Sequence, residues 1–387
     1  MKIQSFLLVM PCTFFNAPVL ANHGGGDQHP PLSPLRSGPR AASKPSRQRQ
    51  IPSSSQLSAY LKIAICMAIM PSQLSAQDDG DSPEAASVQT LSYRKGFNYL
   101  GLQALGRPQG AADVASVTGV EIRVENADDL FRDGTFILEI SAGAGDGIVT
   151  TASVEGNMIV TDDDLSSGVD HTSQVTLREI QTLAAVFGSN NRVNLASTGS
   201  FGTSDQIWLP DGEGSFDKYA YLSANPFSQE PERWADTEGN AIDPAKVPLI
   251  YTDGIIINAV SANEFQLLGF TKTGRTSFAL TTTFNYLSSV YPVGLTLGGS
   301  KFENTFLTVN FGVGDQLWIP NEVGGFDEYA QIPRNPFDPG RLAGWIDENG
   351  ERVDADTIPI VSSGMIIVRG DGVARSVICE APVFPSD

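Results

Sequence analysis

Histidine and cysteine are scarce in this chain, with three of each among 387 residues. From residue 77 onward only His171 and Cys379 remain. A lone cysteine cannot form a disulfide within this body, so its core must hold without staples, which its length allows. A lone histidine excludes a metal centre built on a histidine cluster. A Ser-His-Asp triad would have to centre on His171, whose loop "SSGVDHTSQ" reads as ordinary surface. Basic residues are also few, with 25 Lys+Arg against 44 Asp+Glu. Residues 77–387 hold 18 basic and 43 acidic side chains. Such a body repels phosphate backbones, which argues against nucleic acid as a partner, and it attracts cations. No apolar run approaches the ~20 residues that a membrane-spanning helix needs. The final "CEAPVFPSD" carries no apolar tail, so no transmembrane anchor is expected. A phosphate loop and a dinucleotide fingerprint are absent too. The glycines of "SAGAGDG" fall between strand-like segments, where they serve turns.

The front of the chain has the opposite charge character. Residues 1–76 contain seven basic residues and one acid, Asp27. Two segments, "MKIQSFLLVMPCTFFNAPVLA" and "LKIAICMAIMPSQLSA", each follow the basic, apolar, small-residue plan of an export signal. Between them, residues 22–56 are rich in Pro, Ser, Gly and Arg, a composition that favours disorder. Two accounts fit the tandem arrangement. The signal is residues 1–21, or the true start lies near Leu61 and residues 1–60 are not part of the natural protein. Both predict an exported body, and the cleavage point near Ala76–Gln77 stays open.

The body repeats itself. "DQIWLP" at 205–210 returns as "DQLWIP" at 315–320, and residues 201–230 match 311–340 at 14 of 30 positions without a gap. Trp208 aligns with Trp318, Phe216 with Phe326, and Tyr219 with Tyr329. After a one-residue slip Trp234 aligns with Trp345, and the register returns at Gly254 and Gly364. Upstream, "FNYLGL" at 97–102 echoes "FNYLSS" at 284–289, now 187 positions apart instead of 110. A duplicated unit accounts for both offsets if the first copy hosts an insertion. The inserted stretch contains "VEIRVE", "TFILEI", a pair of strands around Glu155-Gly156-Asn157, and "SQVTLRE". Period-2 alternation broken by turn residues marks five short antiparallel strands, enough for a small barrel or sandwich. "IQTLAAVFG" spaces Ile180, Leu183, Ala184 and Phe187 as a short helix over 180–188 with a glycine stop.

These patterns predict an all-β protein of two tandem β modules, the first interrupted by a small β-barrel-like insert. The expected divisions are a signal-like and disordered segment at 1–76, a linker at 77–92, and a first module at 93–260 with its insert at about 110–179. A connection at 261–283, a second module at 284–373 and a tail at 374–387 follow.

The matched aromatics Trp208, Tyr219, Trp234, Trp318, Tyr329 and Trp345 are the candidate binding residues, because planar rings stack on the apolar faces of sugars. The same rings suit a sheet core, since aromatics bury large apolar areas. Duplication favours the core, which every copy must rebuild. The acid-rich runs "TDDDLSS" and "DENGERVDAD" have the oxygen ligands calcium prefers but not the spacing of a helix-loop-helix calcium site. They read as solvated turns, and neither a metal nor a cofactor is expected. A glycosidase needs only two carboxylates, and with 43 acids nothing in the sequence singles out a pair.

The ordered set "FNYLGL", "TFILEISAGAGDGIVTTASVEGNMIVTDDDLSS", "LAAVFGSNN", "DQIWLP", "RW" and "PLIYTDGIIINA" resembles an uncharacterised family of exported β-rich repeat proteins found mainly in verrucomicrobia. The likeness covers 97–259, with 284–369 as a shorter module lacking the insert. The resemblance implies an exported β-rich fold and carries no catalytic residues. Many members end in a sorting signal with an apolar helix, which this chain does not show. The expected function is therefore an exported, non-catalytic protein with a structural or binding role at or outside the cell envelope, its partner an extracellular polysaccharide or another envelope protein. The alternatives are a polysaccharide-active enzyme using a carboxylate pair and a carbohydrate-binding module using exposed Trp and Tyr.

Overall fold

The computed structural model describes residues 86–125, 131–226, 229–281, 283–291, 294–308, 313–321, 323–334, 343–360 and 364–382. All of these lie in the compact unit that begins at Ala76. The signal-like segments fall outside the described residues.

The first module opens with β1 (Ala86–Tyr93) and β2 (Gly96–Leu100). Six strands then form the insert: β3 (Pro108–Thr118), β4 (Glu121–Val124), β5 (Gly134–Ala142), β6 (Val149–Glu155), β7 (Met158–Thr161) and β8 (Gln174–Glu179). A short β9 (Gln181–Thr182) leads into helix α1 (Leu183–Phe187), followed by β10 (Gln206–Pro210), β11 (Phe216–Leu222), β12 (Arg233–Ala235), β13 (Pro248–Leu249), β14 (Ile255–Ala259) and β15 (Asn263–Phe270). The second module runs through β16 (Thr276–Leu280), β17 (Phe284–Ser288), β18 (Gln316–Pro320), β19 (Phe326–Ile332), β20 (Gly344–Asp347), β21 (Gly364–Val368) and β22 (Arg375–Cys379).

The two modules share one plan. Their five-stranded sheets have the orders β12-β11-β10-β14-β2 and β20-β19-β18-β21-β17. Each module is also closed by an antiparallel ribbon of its first and last strands, β1 with β15 and β16 with β22. The pattern "DQxWxP" has a structural reason in both copies. Asp205 is fully buried and accepts from the backbone N–H groups of Ala196 (2.7 Å) and Val260 (2.6 Å). Asp315 does the same for Leu307 (2.7 Å) and Gly370 (3.0 Å). Each carboxylate thereby ties the start of a central strand to the end of its neighbour, and burial is tolerable because its oxygens are satisfied. The next residue accepts from the indole two positions on, Gln206 from Trp208 (3.0 Å) and Gln316 from Trp318 (2.9 Å).

Several expected boundaries require correction. The supposed linker at 77–92 contains most of β1, the connection at 261–283 contains β15 and β16, and the tail at 374–387 contains β22. These ribbons escape notice because only one face of each is buried and their outer faces mix polar and apolar residues; Val88 and Leu268, opposite one another in register, are 59% and 78% exposed. The insert has six strands rather than five. The missing one is β3, whose "PQGAADVASVT" is poor in β-branched residues at its start and bends at a register shift. The helix is shorter than the span 180–188, because Thr182 caps it by accepting from the Ala185 N–H and Gly188 ends it at positive φ.

The insert closes as a barrel in the order β3-β4-β7-β6-β5-β8. Strand β5 explains how it docks. Phe136, Leu138 and Ile140 point into the barrel core, while Ile137 on the other face joins the main core. Glu139 shares that outer face and is buried. Its carboxylate accepts from Arg178 Nε (2.8 Å) on β8, from Tyr251 OH (2.5 Å) of the first module and from Lys272 Nζ (3.1 Å) after β15. Burial alone would raise the Glu139 carboxyl, but Lys272, Arg178 and the hydrogen bonds outweigh it and hold it at about 2. The two ends of the barrel meet, with the Glu179 N–H donating to Arg107 O at 2.9 Å.

The modules join beside β2 and β17, the end strands of the two five-stranded sheets. Residues Thr252–Gly254 pair with β17, as the Gly254 N–H donates to Tyr286 O (3.0 Å) and the Ser288 N–H to Thr252 O (2.9 Å). Gln103 reaches across to Ser289 O (2.9 Å) and Tyr291 O (2.8 Å). Residues equivalent in the repeat exchange places across this seam. Tyr99 stacks on Tyr286 with rings 7° from parallel, Tyr99 meets Phe326 at 4.8 Å, and Tyr286 meets Phe216 at 4.8 Å. A Cβ on Gly254 would lie 2.8 Å from Leu287 O, and one on Gly364 would lie 3.1 Å from Leu100 O. The relation is that of an isologous contact made within one chain. One core runs beneath both sheets, including Ile207, Trp234, Leu287, Leu317 and Trp345.

Two substitutions test this construction. Gly254→Ala forces the seam backbone apart and should cost about 1–3 kcal/mol in denaturant unfolding. Glu139→Gln leaves two buried cations without their counter-charge and should cost about 3–5 kcal/mol at neutral pH. Because the folded Glu139 carboxyl titrates lower than it would unfolded, its contribution is present above the ordinary carboxylate range and is lost as pH falls toward about 2. The stability gap between the wild type and the Gln variant should therefore shrink on acidification.

Candidate functional site

Six aromatics were the sequence candidates, and the structure separates them. Trp234, Trp345 and Tyr329 are 1%, 5% and 8% exposed. The Trp234 indole N–H donates to Gly188 O at 3.0 Å, and its ring packs against Phe187 and Tyr221. Trp345 packs edge-on against Phe306. These three rings present no face to a ligand, because β11, β12, β19 and β20 turn them inward onto the shared core. Trp208, Trp318 and Tyr219 are half-buried.

Trp208 and Trp318 belong to a feature the sequence reading missed. Each lies on the outer face of its sheet, opposite the core-facing Ile207 and Leu317. There the rings continue in a line: Phe97 to Trp208 (5.2 Å), Trp208 to Phe216 (6.0 Å), Phe216 to Tyr286 (4.8 Å), and Tyr286 to Tyr99 (6.3 Å). From Tyr99 the same order runs in reverse, to Phe326 (4.8 Å), Trp318 (5.9 Å) and Phe284 (5.6 Å). Eight rings thus form an unbroken row across the seam, and none of them is buried. The terminal rings are the most open, Phe97 at 51% and Phe284 at 46% exposed. Lys218, paired in register with Trp208, holds its ammonium 3.9 Å from that ring. The signal was present in the sequence. Phe97, Tyr99 and Phe216 each have an aromatic counterpart in the second copy, but tryptophan drew the attention.

Beside the row lies a cleft of the first module. One part, an open pocket of about 200 Å³, is lined by Pro210, Asp211, Asp217, Tyr219, Pro248 and Asp253. An adjoining part of about 110 Å³ lies between the β10–β11 hairpin and β17, and its walls include Asp253, Phe284 and Tyr286. Asp253 therefore faces both parts. Among the described residues its carboxylate has no hydrogen-bond or ion-pair partner, and burial pushes it up to about 7. Asp211 is exposed and held below the usual carboxylate range by the backbone N–H groups of Ser215 and Glu213. Burial, and then the neighbouring Asp217, raise the Tyr219 hydroxyl. In the second copy the positions of Asp211 and Asp253 are Asn321 and Ser363.

The remaining sequence candidates are turn chemistry. His171 is exposed in a turn. In "TDDDLSS", Asp163 accepts from Thr150 Oγ1 and Asp164 from the Ser166 N–H. In the other run, Asp347 accepts from the N–H groups of Asn349 and Glu351, and Asp354 from that of Asp356. Among the described residues no three His, Cys, Asp or Glu side chains are grouped to hold a metal ion, and no helix is long and apolar enough to cross a membrane. A scan against protein-family models finds no match, and searches of curated proteins and of solved structures find none either.

Asp253→Asn tests the cleft. A carboxyl raised in the folded state weakens folding as pH climbs from the ordinary carboxylate range to about 7, and the penalty stays constant above that. The Asn variant should melt higher than the wild type above pH 7, and the difference should vanish in acid.

Proposed function

We propose that this is an exported, non-catalytic binding protein that holds an extended polysaccharide along the aromatic row. The row is the observation that carries the reading. A hydrophobic core explains why rings are buried, but it does not explain why eight of them stay at the surface in one continuous file. Exposed contiguous apolar surface on a folded protein marks a place of contact. Tyrosine and tryptophan suit a partner that is apolar on its faces and polar at its rim, as a pyranose chain is. The row crosses both modules, so the ligand it fits is long rather than a single sugar. Export follows from the two signal-like segments at the front of the chain.

The test is retention on insoluble polysaccharides and mobility in polysaccharide-loaded native gels. Phe97→Ala combined with Phe284→Ala removes the two most open rings and should reduce retention at least about tenfold, since each ring at such a contact is worth roughly 1 kcal/mol or more. Melting should be unchanged. Equal retention by this variant would sink the proposal. Release of reducing ends in the same incubation would favour the enzymatic reading instead, with Asp211 and Asp253 as its carboxylate pair.

A further inference from the structure

We infer that the acid cleft beside the row is a subsite for an organic ammonium group, so that the bound polysaccharide is one carrying amino substituents. This rests on the reading of the row as a glycan platform and goes further by naming the chemistry at one point along it. Three independent features meet there. Asp253 lines both parts of the cleft, and its carboxylate has no donor among the described residues. Phe284 and Tyr286 form an aromatic wall of the same cavity, and π faces near a carboxylate are the arrangement that binds alkylammonium ions. The rest of the lining adds negative charge, from Asp211 and Asp217, and no cationic side chain lines either part among the described residues.

The asymmetry between the copies supports the assignment. Features that hold the fold recur in both modules, as Asp205 and Asp315 do. Asp217 recurs as Asp327, but Asp211 and Asp253 do not, since Asn321 and Ser363 stand at their positions. A side chain kept charged in one copy alone is not required by the shared architecture. The acidic body adds long-range attraction for a cation. Facing Asp253 across the cleft are the titratable groups Asp211, Asp217, Tyr219 and Tyr286, and the phenols stay neutral through the working range. Asp253 is therefore the group whose protonation governs binding near neutrality, and affinity for a fixed cation should fall as pH drops below about 7.

Choline, a permanently charged quaternary ammonium, and its uncharged tert-butyl isostere are the probes, titrated by NMR against the folded protein. Choline should bind at least about tenfold more tightly than the isostere, and roughly tenfold more weakly for each pH unit below the Asp253 titration. Asp253→Asn should remove both differences, whereas Asp113→Asn, on the barrel, should leave them intact. If Asp253→Asn fails to fold, Phe284→Leu serves in its place and should weaken choline several-fold. Equal binding of choline and isostere, or equal choline binding by wild type and Asp253→Asn, overturns the subsite. Because choline requires no polysaccharide, a protein that binds it through Asp253 but retains no glycan overturns the reading of the row and leaves the ammonium site standing. Among macromolecules, a deacetylated amino polysaccharide should be retained in an Asp253-dependent way. Capture instead by phosphatidylcholine vesicles through Asp253 would overturn the assignment to a glycan.

Discussion

A β-strand at the edge of a sheet leaves a line of backbone donors and acceptors that must meet something. In this protein β2 and β17 are such strands, each at the end of its own five-stranded sheet. For β17 the solution comes from the first module. Thr252–Gly254 of the first module complete the open side of β17, and Arg94 beside β2 donates to Asn321 O at the tip of the β18–β19 hairpin. The closeness of this seam leaves no room for a Cβ at 254, 2.8 Å from Leu287 O, and makes 364 tight, 3.1 Å from Leu100 O. It also fixes where the outer faces of the two sheets lie, and hence where their aromatic rings come into register. The row and the cleft are both consequences of covering two strand edges.

The duplication sorts residues by role. The buried carboxylates Asp205 and Asp315, the Gln–Trp hydrogen bonds and the turn acids Asp236 and Asp347 recur because each copy has the same backbone groups to satisfy. Where the copies diverge, the shared fold no longer dictates the choice. Asp205 accepts from Tyr93 OH at 3.3 Å, whereas Asp315 is paired with Arg369 at 3.1 Å, so the acid kept in both copies is partnered by a neutral donor in one and a cation in the other. At the cleft, Asp211 gives way to Asn321, which keeps the hairpin hydrogen bond but not the charge, and Asp253 gives way to Ser363.

Much of this architecture was legible in the sequence. The offsets of 110 and 187 between matched motifs located the modules and the insert, because a repeated core must repeat its side chains. Alternation in "TFILEI" revealed a strand, yet it could not show that the strand serves two cores at once, with Ile137 and Glu139 facing away from the barrel. The ribbons β1–β15 and β16–β22 were hidden because half-exposed strands at module boundaries lack a clean hydrophobic pattern. The site was harder still. Trp234 and Trp208 look alike as letters, and only the sheet decides that one points inward and the other outward. Asp253 is one acid among 43 until the fold places it in a cleft with no partner among the described residues.

The meeting of the barrel's two ends at Arg107 and Glu179 has a consequence for how such a chain could arise. A guest whose start and finish touch leaves its host strands undisturbed, since it neither stretches the connection nor demands a new path through the sheet. The second module shows the same sheet built without a guest. Gain or loss of the barrel is thus a change the lineage can make in one step, and the Glu139 cluster is the anchorage that would have to be acquired or dissolved alongside it.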